Sequence, residues 1–264
     1  ISHIAPNYEK IVNVGAQGII EEVEALESET DDSEKLDFYK AVKISMKGMA
    51  EFGDRYAAEA SKMASVETDP VRKQELLEIA SICARVPRFG ATSFYEAVQS
   101  MTLAHICIFM ETFGETTCPG RIDQFLNPFY EKDVAAGNIS RERAKEILGA
   151  FCVKLCETIP MHGEVGTSTL GGLTSWEVVT IGGQDKDGND ATNELSFVLL
   201  ELADELRMRQ PNFHVRIHKN TPKAFYDEVI RINFGPGSAP AMYNDETIIE
   251  SMTDIGYSLE DARN

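Results

Sequence analysis

Two histidines, His214 and His218, lie four residues apart in a segment of apolar and β-branched residues that predicts a strand. Positions four apart on a strand point to the same face, so the two imidazoles could bind one metal ion. A third ligand at a metal-binding spacing is not evident. The pattern therefore favours one histidine that faces a site and one that is hydrogen-bonded to the backbone, and we expect no metal ion.

A second candidate site lies at the end of another predicted strand, residues 178–181, which Gly182 and Gly183 follow directly. Two glycines leave little side-chain bulk, so the backbone at this strand end can approach a substrate closely. The polar segment 185–190 has the start of a calcium loop. Its sixth position is not glycine, however, and its twelfth is Ser196 instead of glutamate. We interpret it as a polar, hairpin-like turn.

Other motif-like stretches carry weaker signals. Residues 163–172 are glycine-rich but lack the Gly-Lys-Ser/Thr ending of a phosphate loop, so we interpret them as a mobile loop beside a cavity. Arg121 and Asp123, in a Pro-Gly-Arg-Ile-Asp-Gln turn, are best explained as a buried, hydrogen-bonded helix start. No Ser-His-Asp or Cys-His pair can be assigned from residue order. These patterns alone specify no reaction.

The elements that must position these residues alternate between strand and helix. Predicted strands cover residues 178–181, 213–218 and 240–243, with helices between them, which is the pattern of an α/β layer. Before residue 160 the apolar residues recur at helical spacing, most clearly over residues 35–63. The predicted fold class is helix-rich α/β, with chemistry at the strand ends and loops.

Composition limits the partners and the compartment. The chain has 264 residues, a net charge of −18 and a pI near 4.7, which argue against nucleic acid or an anionic membrane as a partner. It contains no apolar segment long enough to span a bilayer and no secretory signal sequence, so we expect a cytoplasmic protein. Its five scattered cysteines favour free, mostly buried thiols over a disulfide framework.

Several short motifs stand out when the chain is followed in order. They are residues 3–10 (HIAPNYEK), 119–125 (PGRIDQF) with 128–130 (PFY), 180–185 (TIGGQD) with 190–196 (DATNELS), 210–212 (QPN), 215–222 (VRIHKNTP), 243–246 (YNDE) and 258–264 (SLEDARN). Each is weak alone. Together, in this order over the whole chain, they resemble the glycyl radical enzymes of the pyruvate formate-lyase type. The resemblance is closer to the branch of dehydratases, choline and isethionate lyases and arylacetate decarboxylases than to pyruvate formate-lyase itself.

This resemblance implies a barrel of ten strands surrounded by helices. The chain would be part of a pyruvate formate-lyase-like domain, with helical shell in residues 1–160 and the first barrel strands, with their helices, in residues 161–264. It would also be a fragment, in keeping with a start without methionine and an end just past a helix start. In the family, the Asp-Ala-Arg-Asn stretch leads within a few residues into a Gly-Cys-Val-Glu loop.

The resemblance also implies a radical mechanism. The loop cysteine becomes a thiyl radical that abstracts hydrogen from a small polar substrate, and in the eliminating branch the loop glutamate serves as acid and base. This cysteine, this glutamate and the glycine that stores the radical are all expected beyond Asn264, so no catalytic residue is assigned here. No cofactor is expected to bind the chain. The implied partners are the small-molecule substrate, an S-adenosylmethionine iron–sulfur activating enzyme that installs the glycyl radical, and a second copy in a homodimer.

Five residues are candidates for substrate binding. Trp176 matches a position where family members place an aromatic residue near the substrate, although core packing explains it equally well. Asn212 belongs to the Gln-Pro-Asn motif. His214 stands where a small or apolar residue is expected, so it either tunes substrate choice or is simply buried. Asn244 and Asp245 follow the third strand and could position the catalytic loop through hydrogen bonds.

The expected activity is radical elimination by a dehydratase or by a C–N, C–S or C–C lyase, and two alternatives stay open. One is a formate acetyltransferase that uses coenzyme A, as pyruvate formate-lyase does, which adjacent cysteines after Asn264 would indicate. The other is a non-catalytic, truncated scaffold module. The apolar surface that such a truncation exposes argues against its stability alone.

Overall fold

The computed structural model describes residues 4–111, 117–158, 163–170, 177–235 and 240–263. The chain forms two compact units, one of Asn7–Met110 and one of Ile1–Pro6 with Glu111–Asn264. The assignment of residues 1–160 to a shell and 161–264 to a barrel stays a prediction. No described helix combines the length and the apolar character that crossing a membrane requires.

The unit Asn7–Met110 is built from helices. They are α1 (Tyr8–Glu27), α2 (Ser33–Val66), α3 (Pro70–Arg85) and α4 (Phe94–Glu111), the last of which ends at the unit boundary. The long helix predicted over residues 35–63 is confirmed and is longer at both ends. Asp32 caps it by accepting hydrogen bonds from two backbone amides of its first turn.

Gly15 marks a close approach between two backbone segments inside this unit. Gly15 has φ +70° and interrupts the regular helical dihedrals of α1. A Cβ built at this position would lie 2.4 Å from the carbonyl carbon of Phe89. Any side chain here would therefore clash with backbone as well as strain the dihedral. Close packing against the backbone of Arg88 and Phe89 therefore explains the glycine inside α1.

The second unit contains a parallel sheet with the strand order β1 (Val178–Gly182), β2 (Asn212–Ile217) and β3 (Ala241–Asn244). All three predicted strands are confirmed within one or two residues. The sheet continues beyond β1 through single parallel bridges, first Gly120 to Val179 and then Ile4 to Thr117. The carboxyl ends of the three strands therefore lie at one edge, where loops to the next helices begin.

Helices of this unit precede, connect and follow the strands. They are α5 (Ile122–Phe125), α6 (Asn127–Ala135), α7 (Arg141–Glu157), α8 (Glu164–Leu170), α9 (Glu194–Leu206), α10 (Lys223–Asn233), α11 (Asp245–Asp254) and α12 (Leu259–Arg263). α9 connects β1 to β2, and α10 connects β2 to β3. Parallel crossovers of this kind are right-handed, which puts both helices on the same face of the sheet. The T-shaped contact between Phe197 and Phe225 joins the two helices there.

The local sequence explains where α9 starts. Asn193 accepts a hydrogen bond from the Ser196 backbone amide and the Ser196 hydroxyl accepts one from the Asn193 amide, which together form a capping box. On the outer side, Arg141 of α7 donates to Glu201 at 2.6 Å and to Glu194 at 2.7 Å. These ion pairs hold α7 against the helix that follows β1.

One loop prediction is wrong. Within the stretch 163–172, the described residues form the short helix α8 instead of an irregular loop. The hydroxyls of Ser168 and Thr169 both donate to the carbonyl of Val165, so these polar side chains satisfy the helix instead of competing with it. Residues 171–172 lie outside the described part, and the neighbouring cavity stays a prediction.

Candidate functional site

The face of the sheet opposite α9 and α10, here called the open face, carries two of the candidate residues. Side chains alternate between faces along each strand, and aligned parallel strands put paired positions on the same face. The strand residues of the open face are Val178, Thr180, Asn212, His214, Arg216, Ala241 and Tyr243. All of them are partly or fully exposed, whereas the alternate residues of β1, such as Val179 and Ile181, are completely buried.

The centre of the open face is an aromatic pair that spans two strands. The ring of His214 lies 4.7 Å from the ring of Tyr243, centroid to centroid, at an interplanar angle of 42°. Burial lowers the pKa of His214 below its ordinary value. The imidazole is therefore neutral at pH 7 and can donate one hydrogen bond and accept another. A neutral histidine beside a phenol suits recognition of a hydroxyl or an amine.

The structure separates the five predicted residues into distinct places. Asn212 and His214 lie on the open face, Asn212 at its amino-terminal end and exposed. Asn244 caps α11 by accepting a hydrogen bond from the backbone amide of Glu246 at 2.9 Å. Asp245 is buried at the opposite, carboxyl-terminal edge of the sheet. Trp176 lies outside the described residues.

Asp245 is the centre of an ion-paired network at this carboxyl-terminal edge. Its side chain is 1% exposed and accepts from Arg216 Nε at 2.7 Å and from Arg216 Nη2 at 3.2 Å. The backbone amide of Gln184 donates to the same carboxylate at 2.7 Å. A buried carboxylate with a bidentate arginine and a backbone donor is fully compensated, so the pair fixes the geometry of this edge.

The two glycines at the end of β1 serve this network instead of leaving room for a substrate. Gly183 has φ +86°, and a Cβ there would lie 2.7 Å from Arg216 Cβ and 3.0 Å from Asp245 Oδ2. At Gly182, φ is +69° and a Cβ would lie 3.1 Å from the ring of Phe225. Side chains of the same chain fill the space. The expectation that substrate approaches the backbone at this strand end is therefore wrong.

Asp123 forms a second buried centre beside the first. It is fully buried, and its Oδ2 accepts from the Gly182 amide at 2.8 Å and from the Ser196 hydroxyl at 2.6 Å. Burial raises the pKa of Asp123, while these two hydrogen bonds and the charge of Arg121 act in the opposite direction. The carboxylate thus joins the start of α5 to β1 and α9. The predicted buried, hydrogen-bonded helix start is confirmed.

His218 has a different partner from the predicted one. It lies just after β2, and its ring Nε2 is 3.0 Å from Asp190 Oδ1. Its partner is thus a carboxylate of the turn after β1, because that turn folds back through the bridge between Gln184 and Asp190. The turn itself has the predicted hairpin-like form, with Asp185 accepting from two backbone amides of the turn. Within the described ranges, no group of three or more His, Cys, Asp or Glu residues is placed to hold a metal ion.

The two buried cysteines, Cys83 and Cys152, are structural thiols. All five are free. Burial raises the pKa of Cys83 to about 11 and that of Cys152 to about 12. The other three, Cys107, Cys118 and Cys156, keep partial exposure, so the prediction of buried thiols is correct for two of them.

Sequence reasoning missed Tyr243 and Arg216 as members of the site. Tyr243 belongs to a predicted strand and to the YNDE motif, and the signal that points to the site is its alternation with Ala241 on the face that His214 also occupies. Arg216 stands between two apolar strand residues, Val215 and Ile217. An arginine at such a position needs a buried carboxylate partner, and that requirement was the available clue.

Comparison with known proteins decides the family. The sequence model described as pyruvate formate lyase-like matches residues 1–264. The chain belongs to this family. The resemblance that the motifs indicated is confirmed, since the match covers every residue.

Named relatives and solved structures agree with this assignment. The chain is 35% identical over 262 residues to trans-4-hydroxy-L-proline dehydratase of Clostridioides difficile, covering 96% of this chain and 33% of that protein. It is 36% identical over 265 residues to isethionate sulfite-lyase of Oleidesulfovibrio alaskensis, covering 97% and 32% respectively. It also matches the structure of a B12-independent glycerol dehydratase from Clostridium butyricum with a TM-score of 0.94 and 35% identity.

That structural match covers the whole chain and 34% of the glycerol dehydratase. A glycyl radical enzyme from Archaeoglobus fulgidus matches with a TM-score of 0.93 at 36% identity, covering the whole chain and 35% of that protein. The predicted helix-rich α/β fold of glycyl radical enzyme type is confirmed. The chain spans about a third of the length of the relatives that it matches.

Proposed function

We propose that the protein containing this chain is a glycyl radical enzyme that catalyses radical elimination on a small polar substrate, as a dehydratase or as a C–N, C–S or C–C lyase. The observation that carries this proposal is the identity of 33–36% to relatives named for eliminations, over at least 96% of the chain. These relatives are named for the removal of water or sulfite. The coenzyme A-dependent alternative has no comparable support among them.

The reaction proposed for the whole protein needs a cysteine that we expect after Asn264. Its thiyl radical takes a hydrogen atom from a substrate carbon, so an S–H bond forms as a C–H bond breaks. The adjacent C–X bond then breaks, and X leaves with the bonding electron pair and accepts a proton from the acid. The base takes one proton from a substrate hydroxyl or amine, so charge is conserved, and the product radical takes the hydrogen atom back from the thiol. An enclosed cavity protects such radicals from water and oxygen.

The contribution of this chain would be substrate recognition on the open face. His214 offers an imidazole beside the half-exposed phenol of Tyr243, and Asn212 offers an amide towards the amino-terminal end of the same face. Polar groups of this kind, placed on a rigid strand, select a substrate by hydrogen bonds, and rejection is strong when a bonded group is missing. Trp176, Asn244 and Asp245 remain proposed contributors, the last two by positioning. The radical would be installed by an S-adenosylmethionine activating enzyme, and we propose a cytoplasmic homodimer.

The first test is the coding sequence after the codon for Asn264. Continuation into Gly-Cys-Val-Glu supports elimination, adjacent cysteines support acetyl transfer, and a frame without a cysteine in the next dozen codons overturns the radical proposal. The second test uses the whole protein, activated without oxygen. Electron paramagnetic resonance should show a glycyl radical. Trans-4-hydroxy-L-proline, isethionate, glycerol and propane-1,2-diol are the first substrates to assay.

A variant then tests the open face. His214→Leu removes the imidazole but keeps most of its volume, and we expect KM to rise by about 10-fold or more, since a substrate hydrogen bond is lost. Tyr226→Phe removes an exposed hydroxyl on α10 and is the control. Unchanged KM and kcat in the His214→Leu enzyme, with the radical formed normally, would remove His214 from the substrate site.

A further inference from the structure

One backbone carbonyl near the end of the chain is held by two arginines that are distant from it in sequence. The carbonyl oxygen of Arg263 accepts from Arg216 Nη2 at 2.9 Å and from Arg121 Nη1 at 3.2 Å. Arg263 is the last residue of α12, where helix carbonyls lack partners within the helix. We propose that Arg121 and Arg216 are positioning residues that fix the direction in which the chain leaves Arg263, and so place the catalytic loop that follows. This inference rests on the proposed function.

Arg216 is itself held rigidly before it reaches the carbonyl. Two of its nitrogens bind the carboxylate of Asp245, and that carboxylate is fixed by the Gln184 amide. The planar guanidinium therefore has one orientation, and Nη2 bonds to Asp245 and to Arg263 at the same time. A lysine ammonium could keep the charge but not this fork of donors.

Arg121 approaches the same carbonyl from the other side. Its Nη2 donates to the carbonyl of Gly182 at 2.9 Å, which ties it to the end of β1. The two guanidinium groups are close, because both donate to the same carbonyl oxygen. Burial and the charge of Arg216 lower the pKa of Arg121. Two like charges at one oxygen are unfavourable without compensation, and Asp123 and Asp245 provide it.

The side chain of Arg263 is fixed as well. Its Nη1 donates to the carbonyl of Lys186 at 3.3 Å in the turn after β1. The same guanidinium packs against Gly188, where a Cβ would lie 2.7 Å from Arg263 Nη2. Backbone and side chain are thus bound by groups from α5, β2 and the 185–190 turn. Several separate segments converge on this residue, although it belongs to a helix of only five residues.

A rigid exit point has a catalytic consequence. The thiyl sulfur must come within near-attack distance of one substrate hydrogen, and a displacement of about 1 Å can cost about 100-fold in rate. The carbonyl of Arg263 is held by two hydrogen bonds, so it fixes where a loop that starts a few residues later begins. Substrate affinity, by contrast, depends on Asn212, His214 and Tyr243 of the open face. It should change little when this support is weakened, because the guanidinium of Arg216 is already bonded to Asp245 and to the carbonyl of Arg263.

The test compares Arg216→Lys and Arg121→Lys with Arg231→Lys in the whole, activated protein. Arg231 also forms two carboxylate pairs, but on the exposed surface of α10. We expect kcat per glycyl radical to fall by about 10- to 100-fold in the first two variants, as misplacement predicts, with KM within about twofold. The radical content should be unchanged. Amide hydrogen exchange over α12 and the following loop should become faster in both variants and stay unchanged in the control.

A purely structural role gives a different result. Melting temperature and radical content would then fall together with activity, and kcat per radical would stay constant, which overturns the proposal. Unchanged exchange over α12 in soluble Arg121→Lys protein also overturns it, whether or not a substrate is known. Arg121→Lys decides the question if Arg216→Lys does not fold, because it leaves the partner of Asp245 in place. If the wild-type protein forms no radical, the proposed function fails, while the exchange result still stands on its own.

Discussion

Replacing Asp123 should reveal how strongly one buried carboxylate joins β1 to the helices around it. Asp123→Ala leaves the Gly182 amide and the Ser196 hydroxyl buried without their acceptor. Asp123→Asn keeps an oxygen for both donors but removes the charge. The two variants therefore separate the loss of the hydrogen bonds from the loss of the charge.

The structure sets the expected magnitudes. Hydrogen bonds to a charged acceptor contribute about 1.5–3 kcal/mol each, so losing two of them should lower the free energy of local opening by about 3–5 kcal/mol in Asp123→Ala. Asp123→Asn replaces two hydrogen bonds to a charged acceptor by two to a neutral one, and it no longer buries a charge. We therefore expect the free energy of local opening to fall by only about 1–2 kcal/mol. The carboxylate Oδ1 has no hydrogen-bond partner within the described residues, so the asparagine amide there would also be unsatisfied.

The sign of the pH dependence follows from the raised pKa of Asp123. At pH values between its pKa in the unfolded state and its higher pKa in the folded state, such a carboxyl group binds more protons when the protein is folded. Stability therefore falls as pH rises through that interval, which begins at about pH 4 for an ordinary aspartate. The Asp123→Asn variant cannot titrate at this position. The stability of the wild type relative to this variant should fall as pH rises above about 4.

The assay is amide hydrogen exchange of the peptide that covers β1, corrected for intrinsic exchange at each pH. It reports local opening in the whole protein and needs no two-state unfolding. Asp227→Ala on the exposed face of α10 is the control and should leave β1 unchanged. The reasoning would be refuted if Asp123→Ala and Asp123→Asn lowered the free energy of opening equally. It would also be refuted if the stability of the wild type relative to Asp123→Asn increased as pH rises.

Three further predictions concern packing, capping and thiol reactivity. Gly183→Ala should lower the free energy of unfolding by about 3 kcal/mol, because the added Cβ clashes and the positive φ is strained. Gly137→Ala, which has a similar φ but open space around it, should lower it by about 1 kcal/mol. Apparent melting temperatures compare the two variants. Asn193→Ala removes the capping box, so the free energy of opening of α9 should fall by about 1–2 kcal/mol, as measured by hydrogen exchange of its amides. At pH 8, iodoacetamide should modify the partly exposed Cys156 at least about tenfold faster than Cys152, as mass spectrometry would show, because burial raises the pKa of Cys152 to about 12.

The secondary structure of the second unit could be predicted because its local signals agree. β1 is a short run of apolar and β-branched residues, and β2 alternates polar with apolar residues. α9 begins with a capping pattern that needs only Asn193 and Ser196. The loop prediction failed at residues 164–170, where glycine-rich sequence suggested irregular structure but serine and threonine residues are accommodated in a helix. Their hydroxyls can bond back to Val165 within a helix, and residue type alone does not show which bond forms.

The contacts of the site could not be predicted from single residues. His218 finds Asp190 and Arg121 finds Arg263 only after the chain has returned to the same edge of the sheet, 28 and 142 residues apart. Such pairings depend on strand order and register, which periodicity does not give. The motifs located the right segments, while the partners of each side chain required the fold.

The glycine pair after β1 shows why strand-end glycines are ambiguous evidence for a substrate site. Absence of a side chain makes room, but the sequence does not say for what. Here Arg216 and Asp245 occupy the space at Gly183, and each is bound to the other. Admitting a substrate would mean breaking a buried ion pair, which is strongly unfavourable. The open face keeps polar groups that are only partly buried, so we place recognition there and assign support of the catalytic loop to the edge.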